Sequence, residues 1–403
     1  SVSANLLFSE PPEIDTDNDR VKDTLKVNKF GQRLVHAAEI SAAAGGVYMK
    51  VDINAGESDL PIITIRYPDS AIPQFRSNGD LSSVTFHRLI VDDKKVFRLY
   101  ETRRIDGGLI VEFTLVEVKD GKDSKQVALT ATKQTESLSN SFYPNYNELG
   151  VVYIPNMLPN RQFPKSHEGI SDYAGCISLM DALDEAWTSW VNDVTLGQGR
   201  IFVDSEILTK QGDKLRFDPY NRVLMKVDMG AAKMGEGHKP IESVQFDIRA
   251  DDHMKTCQSL TEQIISMAGY SVQSFGLDIQ GRAESGTALR IRERKSMLTK
   301  RKKSRYWKHG LQPLLTQMQE IDVLSGLSSP YEAKTPSVVL ADSVVRDPRE
   351  TSETIRNLDM AQAISTWQKV KMGHEDWTDD QILEEVNRIN QGMGMPVNGA
   401  EIG

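Results

Sequence analysis

The chain has 403 residues, of which 39% are hydrophobic and 26% charged, and a formal net charge of −9. That length can bury a substantial core, and the acidic balance argues against a general nucleic-acid binder, which would be basic overall. No run of about 18 apolar residues is present to span a membrane, and the two cysteines, Cys176 and Cys257, argue against a disulfide scaffold and fit a reducing compartment, where a buried free thiol is the expectation.

The sequence opens SVSANLLFSEPPEID, without an initiating Met and without a signal-peptide pattern, so it reads as a segment from which preceding residues have been removed. Residues 17–44 predict one helix with Leu25, Phe30, Leu34, Ala38 and Ile40 on its buried side, closing at Gly45–Gly46. From Val47 to Ile154 the period changes to two. The segments VYMKVDI, PIITIRYP, SVTFHRLIVD, VFRLYETRRI, LIVEFTLVEV, QVALTAT and VVYIPN predict strands, with turns at Asp92–Lys94, Asp106–Gly108 and Asp120–Gly121. This is an antiparallel β module inserted in a mostly helical chain, and scaffolding is its expected role.

A linker rich in Pro and Asn (155–164) leads to a predicted helix capped by Ser171, with Ile177, Met180, Leu183, Trp187, Trp190 and Val194 as one apolar stripe. The carboxylates of Asp181, Asp184, Glu185 and Asp193 fall largely off that stripe, as surface acids usually do. Residues 196–250 are loop-rich, with short alternating segments in RIFVDSEIL, KLRFDPYN, RVLMKVDM and SVQFDIR. From Asp251 a second helix predicts Met254, Cys257, Leu260, Ile264 and Met267 on one face and ends at Gly269, with Asp251 and Asp252 as acceptors at its start.

The segment SVQSFGLDIQGRAESG is rich in Gly and Ser and reads as a loop. A long helix follows from Thr287, continuing past Gly310 with a kink near Pro313. Between Leu298 and Tyr306 it is polar all round, which suits a helix that bridges solvent or docks on neighbouring chains; for any single lysine there, a solvated face is the alternative. After it come an extended segment (YEAKTPSVVLADSVVRD), a helix over RETSETIRNLDMAQAISTWQKVKMG, and a last helix whose capping box is Thr378 and Gln381. The tail MGMPVNGAEIG is expected to fray.

Chemistry is harder to find. The seven histidines are scattered, no HExxH or Cys–His cluster is present, and neither a GxSxG elbow nor a Walker A lysine occurs. The glycine pairs in LGQGR and MGEGH lack the spacing of a phosphate-cradling loop. No cofactor, metal or catalytic residue is expected.

The helix ending IISMAGY, the loop SFGLDIQGRAESGTAL and the basic helix RIRERKSMLTKRKKSRYWKHGLQPLL together resemble the portal proteins of tailed bacteriophages, siphophage-like portals in particular. The resemblance implies an α+β portal-type fold: a β-rich wing (1–170), stem helices at 171–195 and 251–270 around a small α/β clip (196–250), a tunnel loop (271–285), a long kinked wing helix with an extended segment (286–340), and a helical crown (341–403). It implies a non-enzymatic dodecameric ring at one capsid vertex, through which a terminase motor packages double-stranded DNA and the genome later leaves. Its partners would be other copies of itself, the large terminase, major capsid and scaffolding proteins and a head-completion adaptor, with no membrane. The setting would be the virion, and the host cytoplasm during assembly.

Carried onto this sequence, the tunnel loop is Gln273, Ser274, Phe275, Gly276, Leu277, Asp278, Gln280, Gly281 and Arg282. Arg282 is the candidate phosphate contact, with an ion pair to Asp278 or to a neighbouring subunit as the alternative. The clip's docking residues would be Lys210, Lys214, Arg216, Arg222, His238 and Lys239. Arg290, Arg294, Lys300, Arg301, Lys302, Lys303 and Arg305 would face a neighbouring subunit or the capsid, because so dense a basic helix around the conduit would hold phosphates. Two features depart from the family pattern: the front lacks the usual N-terminal helical segment, and Trp187 and Trp190 are bulky for a tight stem pair. Two other readings are open to the sequence. A nonspecific DNA-binding packaging accessory would work as a monomer or dimer through the 290–308 helix, and a hydrolase would need a compact carboxylate or Ser/His site.

Overall fold

The computed structural model describes the chain except for residues 53–57, 94, 198–199, 205–223, 228–240, 245–248, 278–285, 327–329, 341–347, 375–376 and 393–403; within 200–204, 224–227, 241–244, 286–290 and 348–351 it describes the backbone alone. Contacts divide it into two units, residues 1–282 with 290–341, and residues 283–289 with 342–403. The chain is mixed α and β with antiparallel sheets.

The first unit opens with a short helix, α1 (Val2–Phe8), then β1 (Glu13–Asp15). The single helix predicted over 17–44 is two, α2 (Asp19–Val27) and α3 (Phe30–Ala44). Asn28 and Lys29 break it, Lys29 taking a left-handed φ of 48°. The reason is Asn28, which is buried: its Nδ2 donates to the Thr24 and Pro61 carbonyls, and its Oδ1 accepts from the Ile63 amide at 2.8 Å. A side chain that bonds backbone on both sides competes with helix continuation.

β2 (Gly46–Asp52) lies in a three-stranded sheet between β10 (Val151–Pro155) and β3 (Ile62–Arg66). It is buried on both faces. Val47, Met49 and Val51 join a cluster with Leu34, Ala38, Trp307 and Leu311, while Tyr48 joins Phe86, Val84 and Leu109 on the other side. That second side is a larger antiparallel sheet of β4 (Ala71–Phe75), β5 (Leu81–Asp92), β6 (Lys95–Ile105), β7 (Gly108–Lys119) and β8 (Lys122–Val127), with β9 (Ser141–Pro144) also on β7. Six predicted strands match β2, β3, β5, β6, β7 and β10. The seventh, QVALTAT, covers only the end of β8 and passes into a 3-10 turn at Leu129–Ala131. Asp93, Asp120 and Gly121 carry the positive φ their turns require.

Charge is buried between the two sheets. Lys50 Nζ lies 2.6 Å from Glu101 Oε2 and 3.0 Å from Asp52; Arg103 Nε lies 2.8 Å from Glu101 and its Nη2 bonds Asp52. Burial alone would push the Glu101 carboxyl up, but the charges of Arg103 and Lys50 and their hydrogen bonds overrule it and hold it at about 2. These four side chains border a cavity of about 580 Å³, also lined by Arg66 and Tyr146.

Beyond β10 come α4 (Ile177–Leu196) and α5 (Ala250–Met267), which pack on each other, and between them a small sheet in which β11 (Arg200–Asp204) pairs parallel with β12 (Leu224–Val227) and antiparallel with β13 (Ile241–Val244). The long helix α6 (Gly286–Leu324) is continuous through Gly310 and contains Pro313. Gly310 is a contact point: a Cβ there would come within 2.6 Å of Ile154 Cγ1. Its lack of a side chain lets α6 press directly on β10. The extended segment after α6 supplies β14 (Ser337–Val339), which pairs antiparallel with β1.

In the second unit the one helix predicted over 349–373 is two, α7 (Pro348–Met360) and α8 (Thr366–Gly373), followed by α9 (Asp379–Gly392). Gln362 in the left-handed region ends the first, and Ser365, accepting from the Gln368 amide, starts the second. The predicted capping box of α9 is present: the Thr378 amide donates to Gln381 Oε1 at 3.0 Å, and the Gln381 amide to Thr378 Oγ1 at 3.4 Å.

Candidate channel and docking elements

Helices α4 and α5 pack on each other and leave several large apolar side chains exposed. Cys176 and Cys257 are buried free thiols, and Cys176 Sγ lies 3.5 Å from the Ile264 carbonyl. Burial, and then Asp172, pushes the Cys176 thiol up, which makes it a packing residue. Farther along, Asp193 Oδ2 accepts from Arg249 Nη2 and His253 Nε2, both at 2.9 Å, and the Trp190 ring stacks on His253. The His253 and Arg249 hydrogen bonds hold the Asp193 carboxyl below its usual range.

The predicted stripe of α4 does not close into a core. No residue of α4 is buried, and Ile177, Trp187, Val191, Val194 and Leu196 are exposed, as are Met254 and Met267 on α5. Trp187, whose bulk was in question, lies outside the pair and touches Trp190 edge-on. Ser171 does not cap α4, whose N-cap is Cys176. Its Oγ instead donates to the Ala42 carbonyl. Asp251 and Asp252 lie in the first turn of α5 behind Arg249, so they face the helix dipole without capping an amide.

The base of the predicted tunnel loop is tied to α6. Thr299 Oγ1 donates to the Gly269 carbonyl at 2.5 Å, and Ser296 Oγ accepts from the Ser271 amide at 2.8 Å and meets Ser274 Oγ at 2.7 Å. Lys295 Nζ donates to Ser266 Oγ at 2.7 Å. So docked, Val272–Phe275 forms a turn of 3-10 helix ending at Gly276, whose φ of 72° suits glycine. The loop is therefore regular at its start, contrary to expectation, because the α6 hydroxyls supply the partners its backbone needs. Gln273 and Ser274 are half-buried there, and Phe275 and Leu277 are exposed, Phe275 with its ring edge-on to Tyr270. Asp278, Gln280, Gly281 and Arg282 lie outside the described residues, as do all six clip positions, Lys210, Lys214, Arg216, Arg222, His238 and Lys239.

One face of the basic helix is buried. Ser296, Thr299, Lys300, Lys303, Trp307 and Leu311 are buried along one face of α6. Lys303 is 2% exposed, and its Nζ reaches Asp172 Oδ2 at 2.7 Å, Ser3 Oγ at 2.8 Å and Tyr270 Oη at 2.9 Å. Burial pushes the ammonium down, and Asp172 partly restores it. Lys303, expected to face a neighbour or the capsid, is thus committed inside its own chain, and Lys300 is buried with it. Arg294, Arg301, Lys302 and Arg305 are exposed; the Arg290 side chain lies outside the described residues. No sequence signal singled out Asp172 or Tyr270.

Among the described residues no group of three or more His, Cys, Asp or Glu side chains gathers as a metal site, and no helix is long and apolar enough to cross a membrane.

Among solved structures, the chain is similar to one from the virion of a native gene transfer agent particle, at 12% identity over 92% of this chain and 87% of that one, with a TM-score of 0.44. It is also similar to one from the neck of an empty particle of that kind, computed with C6 symmetry, at 10% identity over 97% of both chains, with a TM-score of 0.36. No curated protein matches. The profile described as "Phage portal protein, SPP1 Gp6-like" matches residues 2–391, nearly the whole chain, and by that match the chain belongs to this family of structural phage portal proteins.

Proposed function

We propose that copies of this chain close into a homo-dodecameric ring at one capsid vertex, the conduit through which the large terminase packages double-stranded DNA and through which the genome leaves. In this reading 1–170 is the wing, α4 and α5 are the stem around the clip at 196–250, 271–285 is the tunnel loop, 286–340 is the long wing helix with its extended segment, and 341–403 is the crown. The observation that carries it is the exposure of large apolar side chains on α4–α5: Ile177, Trp187, Val191, Val194, Met254 and Met267 are not covered among the described residues. Exposed apolar side chains so concentrated on one helix pair mark an association surface, and in a portal the neighbouring subunit is its natural occupant.

The tunnel loop acts from a fixed base. Serine and threonine contacts hold residues 269–274 to α6, and Arg282 is the loop's contact with the DNA phosphates. Arg294, Arg301, Lys302 and Arg305 serve contacts outside the chain, with a neighbouring subunit or the capsid; Lys303 does not. The clip positions, Lys210, Lys214, Arg216, Arg222, His238 and Lys239, meet the motor and the head-completion adaptor. Solution mass and negative-stain imaging test the reading. A ring with a central hole is expected, whereas a persistent monomer or dimer with steep salt-dependent DNA affinity would point instead to a packaging accessory.

A further inference from the structure

Two exposed helix faces of the first unit are complementary in chemistry. On α4, the acids Asp181 and Asp184 share the exposed side with Ile177, Trp187, Val191 and Val194. On α6, the exposed side carries Ile291, Arg294, Leu298, Arg301, Arg305 and Lys308. It lies opposite the buried face of Ser296, Thr299 and Lys303. Among the described residues, Asp181 and Asp184 pair with no cation, and Arg301, Arg305 and Lys308 pair with no acid. Both faces are exposed in the same chain, so they do not cover each other within it.

The order of the residues gives the match a direction. On α4 the acids come first, and Trp187, Val191 and Val194 follow; on α6 Ile291 and Leu298 come first, and Arg301, Arg305 and Lys308 follow. The stretches 177–194 and 291–308 each run about 26 Å along their helix. Laid antiparallel, they set Asp184 against Arg301, Asp181 against Arg305, Trp187 against Leu298 and Val194 against Ile291. Laid parallel, the same faces would set Asp184 against Leu298 and Trp187 against Arg301. Ile177 then meets Lys308, whose alkyl stem can cover it. We propose that α4 of one copy packs antiparallel on α6 of the next, a contact that rests on the ring reading above and names the surfaces that join its subunits. Two different faces of one chain that fit each other make a head-to-tail contact, which repeats until the ring closes. Arginine suits the role, because its planar fork matches a carboxylate. A neighbour's carboxylates, not DNA phosphates, then occupy the basic stripe of α6.

The test is charge reversal in the full chain, read by sedimentation and negative-stain imaging. D181K with D184K, or R301E with R305E, should each lower the yield of rings about tenfold or more, because like charges then oppose across the contact. All four residues are exposed, so the thermal midpoint of the isolated chain should stay near the natural one. Mixing the two variant chains should restore rings, since each offers the face the other lacks, and so should all four substitutions in one chain. Should a charge variant unfold, W187C with L298C decides: oxidation should link successive copies into a ladder on denaturing gels, and its absence overturns the pairing. Natural ring yield from either charge variant, or no recovery in the mixture, overturns the pairing and leaves the ring reading standing. Loss confined to R301E with R305E, together with lost DNA binding, also overturns it and assigns that stripe to nucleic acid. No ring from the natural chain overturns both.

Discussion

Lys303 Nζ lies 2.7 Å from Asp172 Oδ2 and 2.9 Å from Oδ1, an ion pair closed off from solvent between the long helix and the residues that lead into α4. Tyr270, at the end of α5, and Ser3, on α1, complete it, so four separate elements meet on one ammonium. Replacing Lys303 by Met strands a buried carboxylate and is expected to destabilise the chain by about 3–5 kcal/mol. Removing both charges, as K303M with D172N, should restore most of that loss. Urea unfolding of the two single variants and the double one measures it; additive losses would mean that the pair does not act as a unit.

The contact between Gly310 and Ile154 gives a second prediction. G310A drives a methyl into a fully buried isoleucine and should cost about 1–3 kcal/mol, although alanine favours helix over glycine. Trimming the partner, as G310A with I154V, should recover part of the loss. A stabilised G310A in thermal unfolding would show that the two elements do not meet closely.

Glu101 predicts an acid dependence. Its carboxyl falls from the ordinary 4.5 to about 2 in the fold, so over that window the unfolded chain binds more protons than the folded one. The stability it contributes is complete above the ordinary value and drains away as pH falls through about 2. E101Q should lose stability at neutral pH, by about 3 kcal/mol or more given that Lys50 and Arg103 are left short of a partner. Its unfolding free energy should also fall less steeply than the natural chain's between pH 5 and 2, read from urea titrations across that range.

The outward apolar residues of α4 separate assembly from folding. W187S with V191S removes two exposed side chains that make no core contact, so the unfolding midpoint of the isolated chain should move little. The yield of rings by sedimentation should drop several-fold. A variant that assembles as well as the natural chain would remove this face from the ring contact.

For the proposed tunnel loop, R282A is expected to impair DNA packaging in a reconstituted assay while leaving rings intact. Normal genome filling would take Arg282 out of the mechanism.

Much of the fold is legible in the sequence where the signal is local. The alternation of SVTFHRLIVD and VFRLYETRRI, the Asp-Gly turns and the Thr378–Gln381 capping box all act over a few residues, and all are present. β4 and β9 escaped because Pro73 and short, mostly exposed strands obscure the pattern. The break at Asn28 depends on a bond to the Ile63 amide in another element, which no helical period records. Lys303 is the clearest case at the candidate site. In sequence it is one more cation in a basic run, and its partner lies 131 residues away, so only the fold separates it from its exposed neighbours Arg301, Lys302 and Arg305.

The two-faced burial of β2 also protects the chain against misfolding. Odd positions along it meet hydrocarbon and Lys50 and Asp52 meet counter-charges, so sliding the strand by one residue against β3 or β10 would thrust an ammonium and a carboxylate among leucines while Met49 and Val51 displaced them from their partners. Mispairings of this strand are penalised at once on both of its faces.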